Sequence, residues 1–180
     1  MKWKTGRYAV ISLMLLGFAG PARAGIDGVT GPDFTFTAKA GHISTPEGGS
    51  IYTWGYANGA GLMQYPGPTM IVKQGDTVTV TLNNTLEVPV SIVFPGQQGV
   101  TTETVSEPAA QGALTLEAGP GGSVKYSFTA SKPGTYLYHS GTRADLQILM
   151  GLVGALIVRP TEGGGAVLPN QAYGHPDTAF

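Results

Sequence analysis

Cysteine is missing from all 180 residues. Its absence excludes disulfides, a thiol nucleophile, an iron–sulfur cluster and a cysteine-ligated blue copper centre. Histidine is scarce: only His42, His139 and His175 are present. Charged residues make up 12% of the chain, and no run of like charge stands out. Of the ten Lys and Arg residues, four precede or lie within the segment ending at Ala24, which leaves six cations against eleven acids. A mildly acidic, lysine-poor remainder argues against nucleic acid or anionic lipid as a partner. No P-loop, dinucleotide fingerprint or nucleophile elbow occurs. Beyond Ala24, no segment shows a helical period of apolar residues.

What the chain does contain begins with a leader. Lys2, Lys4 and Arg7 precede an apolar run from Tyr8 to Gly20, and Ala22-Arg23-Ala24 supplies a small-residue cleavage pattern. This layout predicts a secretory signal peptide over residues 1–24. The run is shorter than the ~20 apolar residues that span a bilayer, and no cysteine follows it for lipid attachment. The expected mature product has no membrane anchor and lies in the periplasm or outside the cell. Residues 25–160 are long enough for one domain with its own core. Residues 161–180, with Gly163-Gly164-Gly165, read as a linker or tail.

Twenty-eight glycines and thirteen prolines punctuate short strand-like runs. Phe34 to Lys39, Ser50 to Tyr56, Thr69 to Lys73 and Thr77 to Asn83 come first. Val88 to Phe94, Ser123 to Thr129, Gly134 to His139 and Gly154 to Arg159 follow. In Thr77 to Asn83 the threonines face one way and the valines with Leu82 the other. About eight strands at this spacing predict an all-β sandwich of two packed sheets. Gln97 to Gly122 reads as one long polar connection, and Ala144 to Met150 as a short helix or an irregular crossover.

Four segments carry a resemblance. Tyr65-Pro66-Gly67-Pro68-Thr69-Met70 leads into a strand, and Gln74-Gly75-Asp76 opens the threonine–valine strand ending Leu82-Asn83-Asn84. Pro120-Gly121-Gly122 precedes Ser123-Val124-Lys125-Tyr126-Ser127-Phe128. Gly134-Thr135-Tyr136-Leu137-Tyr138-His139-Ser140-Gly141 is followed by Gln147 and by Met150-Gly151-Leu152-Val153-Gly154-Ala155-Leu156-Ile157-Val158. In this order and spacing they resemble the N-terminal domain of multicopper oxidases, the laccase-like superfamily. The resemblance implies a cupredoxin-like Greek-key β-sandwich, with copper as the cofactor of the complete protein. It further implies that a full-length protein couples substrate oxidation to O₂ reduction, with other cupredoxin domains of the same or a longer chain as partners.

The same resemblance implies two ligand pairs, each at i, i+2 spacing. The first pair falls on Val93 and Pro95, flanking Phe94 and followed by Gly96. The second falls on His139 and Gly141. His139 is therefore the one candidate metal ligand of the four positions, and a stable copper site needs three or more donors. The residues alone leave a second role open for His139, as an imidazole hydrogen-bonded to a neighbouring strand or to the long connection. Met63, Met70 and Met150 show no metal-binding repeat and read as core gap-fillers. Ser140 points opposite to His139, so the two form no catalytic dyad. No catalytic residue is assigned. Tyr52, Trp54 and Tyr56 share a strand face, as core packing or as a carbohydrate platform. A stand-alone periplasmic binding or scaffold domain is the alternative to an oxidase domain.

Overall fold

The structure is a computed structural model that describes residues 28–161. The expected leader, His175 and the tail beyond residue 161 lie outside the described residues. Among the described residues, twelve strands and one short helix follow in chain order. They are β1 (Gly28–Thr30), β2 (Asp33–Ser44), β3 (Ser50–Asn58), β4 (Met63–Gln64), β5 (Thr69–Lys73) and β6 (Thr77–Asn84). Then come β7 (Thr101–Ser106), β8 (Ala109–Gln111), β9 (Leu116–Ala118), β10 (Ser123–Thr129), β11 (Gly134–His139), α1 (Ala144–Met150) and β12 (Val153–Arg159).

Two sheets face each other. One has the strand order β4-β3-β2-β6-β10-β7, the other β1-β5-β12-β11, and β8 and β9 form a separate ribbon. Consecutive β5 and β6 lie in different sheets, β5 parallel to β12 and β6 parallel to β2. The turn at Gly75-Asp76 therefore does not close a hairpin. It carries the chain from the smaller sheet into the larger one. There Asp76 holds the end of β5, its carboxylate accepting the Lys73 N–H at 2.8 Å.

Period-two patterning sets which face is buried. In β6, Val78, Val80, Leu82 and Asn84 are buried, while the intervening residues are exposed or half-exposed. In β12, Gly154, Leu156 and Val158 point inward. Each fully buried aliphatic side chain contributes about 1.5–3 kcal/mol of transfer free energy. The centre of the core is aromatic. Tyr138 stacks on Phe36 at 5.6 Å between centroids and lies 5.5 Å from Tyr56. Phe94 packs 4.8 Å from Phe128.

The all-β sandwich agrees with the expectation, and the expected strands are present with one exception. Val88 to Phe94 forms no continuous strand. Its ladder pairing is confined to isolated bridges, Val90 to Ala118 and Val93 to His139. Pro89 and Pro95 bracket this segment and lack the N–H groups a ladder needs. The connection from Gln97 to Gly122, expected as loop, contains β7, β8 and β9. All six residues of β7 are exposed. With both faces wet, its sequence shows no apolar alternation, so period-two reading passes over it.

Three buried tyrosine hydroxyls fasten the sheets to the segments around them. Tyr138 donates to Pro68 O at 2.7 Å, Tyr56 to Ser91 O at 3.2 Å and Tyr126 to Leu116 O at 2.8 Å. Burial raises the pKa of all three far above the ordinary tyrosine value. Because the folded-state pKa is raised, this stabilisation is complete below pH ~10, where unfolded tyrosine titrates, and declines at higher pH. An absorbance titration should show Tyr56, Tyr126 and Tyr138 ionising only together with loss of the sheet signal. Their reversible ionisation near pH 10 in the folded protein would contradict it. A second expectation concerns Gly154, where an added Cβ would come within 2.3 Å of Tyr138 Cζ. Gly154→Ala should lower the unfolding free energy by about 1–3 kcal/mol through overpacking, read by urea denaturation.

Candidate functional site

β11 pairs antiparallel with β12, so that His139 lies opposite Val153 at the end of the sheet. Tyr138 and the half-buried Tyr136 face the core. Leu137, 57% exposed, and the half-buried His139 face the other way. The alternation expected from the sequence is thus observed. Beyond His139 the chain turns through Ser140, Gly141 and Thr142 into α1.

His139 and Val93 form a two-way backbone pair. Val93 N–H donates to His139 O at 2.8 Å, and His139 N–H donates to Val93 O at 3.2 Å. Residues paired in this way carry their side chains on one face. Two of the four positions singled out by the sequence are therefore direct neighbours across a bridge. The imidazole Nδ1 lies 2.9 Å from Ser140 O. That contact is a hydrogen bond when Nδ1 carries the proton, which leaves the Nε2 lone pair as the acceptor.

Gly141 completes the cluster. A Cβ built on Gly141 would lie 2.7 Å from Val93 Cγ1, 3.1 Å from Ser91 Oγ and 3.6 Å from Leu114 Cβ. The fourth position, Pro95, is exposed, while Phe94 between them turns into the core. Leu114 and Thr115 arrive from the long connection. With Val93, Pro95 and Val100 they line an open, uncharged groove of about 360 Å³. The connection thus overhangs the edge that carries His139.

Beneath this edge lies a buried polar network. The Ser140 hydroxyl donates to Gln147 Oε1 at 2.6 Å and accepts the Thr142 N–H at 3.1 Å. Gln147 Nε2 donates to Pro89 O at 2.9 Å, fastening α1 to the segment before Val93. Thr142 Oγ1 donates to Glu117 Oε1 at 2.8 Å and lies 2.9 Å from Ser91 Oγ. Ser91, Ser140, Thr142 and Gln147 are all buried. Gln147 was visible in the sequence only as part of a motif. Glu117, Thr142 and Ser91 were not visible at all, because their partners lie 25 and 51 residues away.

The remaining candidates are dispersed. His42 is exposed on the outer half of β2, with its ring 5.5 Å from that of Tyr52 in an edge contact. Met70 is fully buried. The aromatic stripe divides: Tyr56 is core, Trp54 half-buried and Tyr52 exposed, with the indole N–H donating to the Tyr52 hydroxyl at 3.0 Å. Arg143 and Asp145 form an exposed ion pair at 3.6 Å, which adds little stability. Among the described residues, no three His, Cys, Asp or Glu side chains converge as a metal site. The donor set at the His139 edge is one imidazole among Val93, Pro95 and Gly141, and it does not fit a copper cluster. No helix among the described residues is long and apolar enough to cross a membrane.

Comparison with known proteins places this geometry. A family profile described as "Multicopper oxidase" matches residues 40–163. The chain is 39% identical over 101 residues to the L-ascorbate oxidase of Nicotiana tabacum, a match covering 56% of this chain and 17% of the relative. It is 38% identical over 103 residues to the L-ascorbate oxidase of Cucurbita maxima, covering 56% and 17%. Among solved structures, a multi-copper oxidase from Pseudomonas thermotolerans superposes with a TM-score of 0.58 at 25% identity, covering 74% of this chain and 30% of that one. A blue copper oxidase from Nitrosomonas europaea gives 0.57 at 26% identity, covering 76% and 40%. The chain spans less than a fifth of the length of these curated relatives.

The polar network gives a direct expectation. Gln147→Ala removes partners from buried Ser140 and from Pro89 O, and should cost about 1–3 kcal/mol for each group left unsatisfied. Chemical denaturation would read it; an unchanged midpoint would show that the network is not what fixes α1.

Proposed function

The chain belongs to the multicopper oxidase family, and from that premise we propose that it serves as an exported cupredoxin-like domain of a longer, multidomain oxidase. The observation that carries this reading is the Val93–His139 bridge. It sets the two segments that bear ligands in the family side by side, with one donor between them. Oxidation of substrate coupled to O₂ reduction then belongs to the longer protein, where copper supplies the one-electron chemistry. In this chain the residues contribute a rigid sandwich and a shaped edge. The partners are other cupredoxin domains of the same or a longer chain, and the leader directs the product to the periplasm or outside the cell.

The test begins with the coding sequence. Beyond codon 180 it should continue in frame and encode a His-Cys-His motif, and the longer product should consume O₂ with a phenol or a metal ion as reductant. The purified 180-residue chain should show no O₂ consumption under the same conditions. A stop codon after Phe180, with a monodisperse secreted product, would replace this reading by the stand-alone binding or scaffold domain.

A further inference from the structure

The copper that the family implies and the side chains at the His139 edge disagree, and the disagreement has a definite physical form. Three positions converge there: 93, 139 and 141. The direction in which a side chain would leave Gly141 runs into Val93 Cγ1 at 2.7 Å, closer than real Cβ atoms approach a neighbour. Val93 cannot swing aside freely, because a β-branched residue has restricted χ1 rotamers. Ser91 Oγ, at 3.1 Å on the second side, is tied to Thr142 Oγ1. Leu114 approaches from the third side at 3.6 Å. The space that a second ligand would need is already filled.

We infer that this edge is a metal-free apolar seam in which Val93 and Gly141 share one volume, so that this domain gives no ligand pair to a copper cluster. The two positions are matched: the valine is accommodated because residue 141 lacks a Cβ. A histidine at 141 would need a smaller residue at 93. His139 in this seam is a structural residue. Its Nδ1 engages Ser140 O, and its backbone holds the Val93 bridge. This inference rests on the family reading above, since it is the family that assigns these positions to copper.

Two measurements on the purified chain test it. In the first, Cu(I) and Cu(II) are titrated into the wild type and into His139→Ala, followed by calorimetry and by electron paramagnetic resonance. The expected result is the absence of a stoichiometric submicromolar site in both. Tight one-to-one copper binding lost in His139→Ala would overturn the inference. The second is a double-mutant cycle in unfolding with Val93→Ala, Gly141→Ala and the pair. Val93→Ala should rescue Gly141→Ala, so that the two effects are non-additive by ~5-fold or more in the unfolding equilibrium constant. Additive effects would show that the two residues do not share a volume. Copper content and coupling belong to this chain alone. The reading frame beyond residue 180 decides the oxidase reading, so either can fail without the other.

Discussion

The contact on which the rest of the structure depends is Tyr138 in the aromatic centre. Its ring meets Phe36 and Tyr56 from the larger sheet, and its hydroxyl reaches Pro68 O at the start of β5. One side chain thereby joins both sheets and the strand next to β12. Gly154 leaves room for the ring on the adjacent strand. Because Tyr138 must point inward, the pleat obliges His139 to point outward. The direction of the candidate ligand is a by-product of core packing.

A second constraint works at the same edge by hydrogen bonding. Gln147, Ser140 and Thr142 brace the turn after β11, and the buried side-chain polar atoms of all three find partners within the protein. Burying such groups without partners would be expensive. The network explains why the shape of the edge persists although three of its four positions carry no donor. The backbone there is fixed by Gln147 and Ser140, which do not depend on metal.

Much of this was legible in the sequence. The alternation in Thr77 to Asn83 and in Gly134 to His139 gave the buried faces directly, and the ordered motifs gave the sandwich. The Val93–His139 pairing was legible only through the resemblance, since 46 residues of chain separate the two. Other features lay beyond reach. β7 has two wet faces and so no period. The segment from Val88 to Phe94 looked like a strand by composition, but Pro89 and Pro95 reduce it to bridges. The filling of the space at Gly141 depends on Val93, Ser91 and Leu114 arriving from three separate stretches, and no local pattern records that.

The larger sheet ends in β7, and this has a consequence for how the molecule meets its own copies. An outermost strand offers unpaired backbone donors and acceptors on its free side, an invitation to open-ended sheet growth. Here that strand is Thr101-Thr102-Glu103-Thr104-Val105-Ser106, with a single apolar residue, and Glu103 is held against Lys125 of the neighbouring β10. A carboxylate and four hydroxyls at the rim keep the free side hydrated, and Pro108 lies just beyond the strand end. For a protein without disulfides, resistance to such stacking is built into its least ordered-looking sequence.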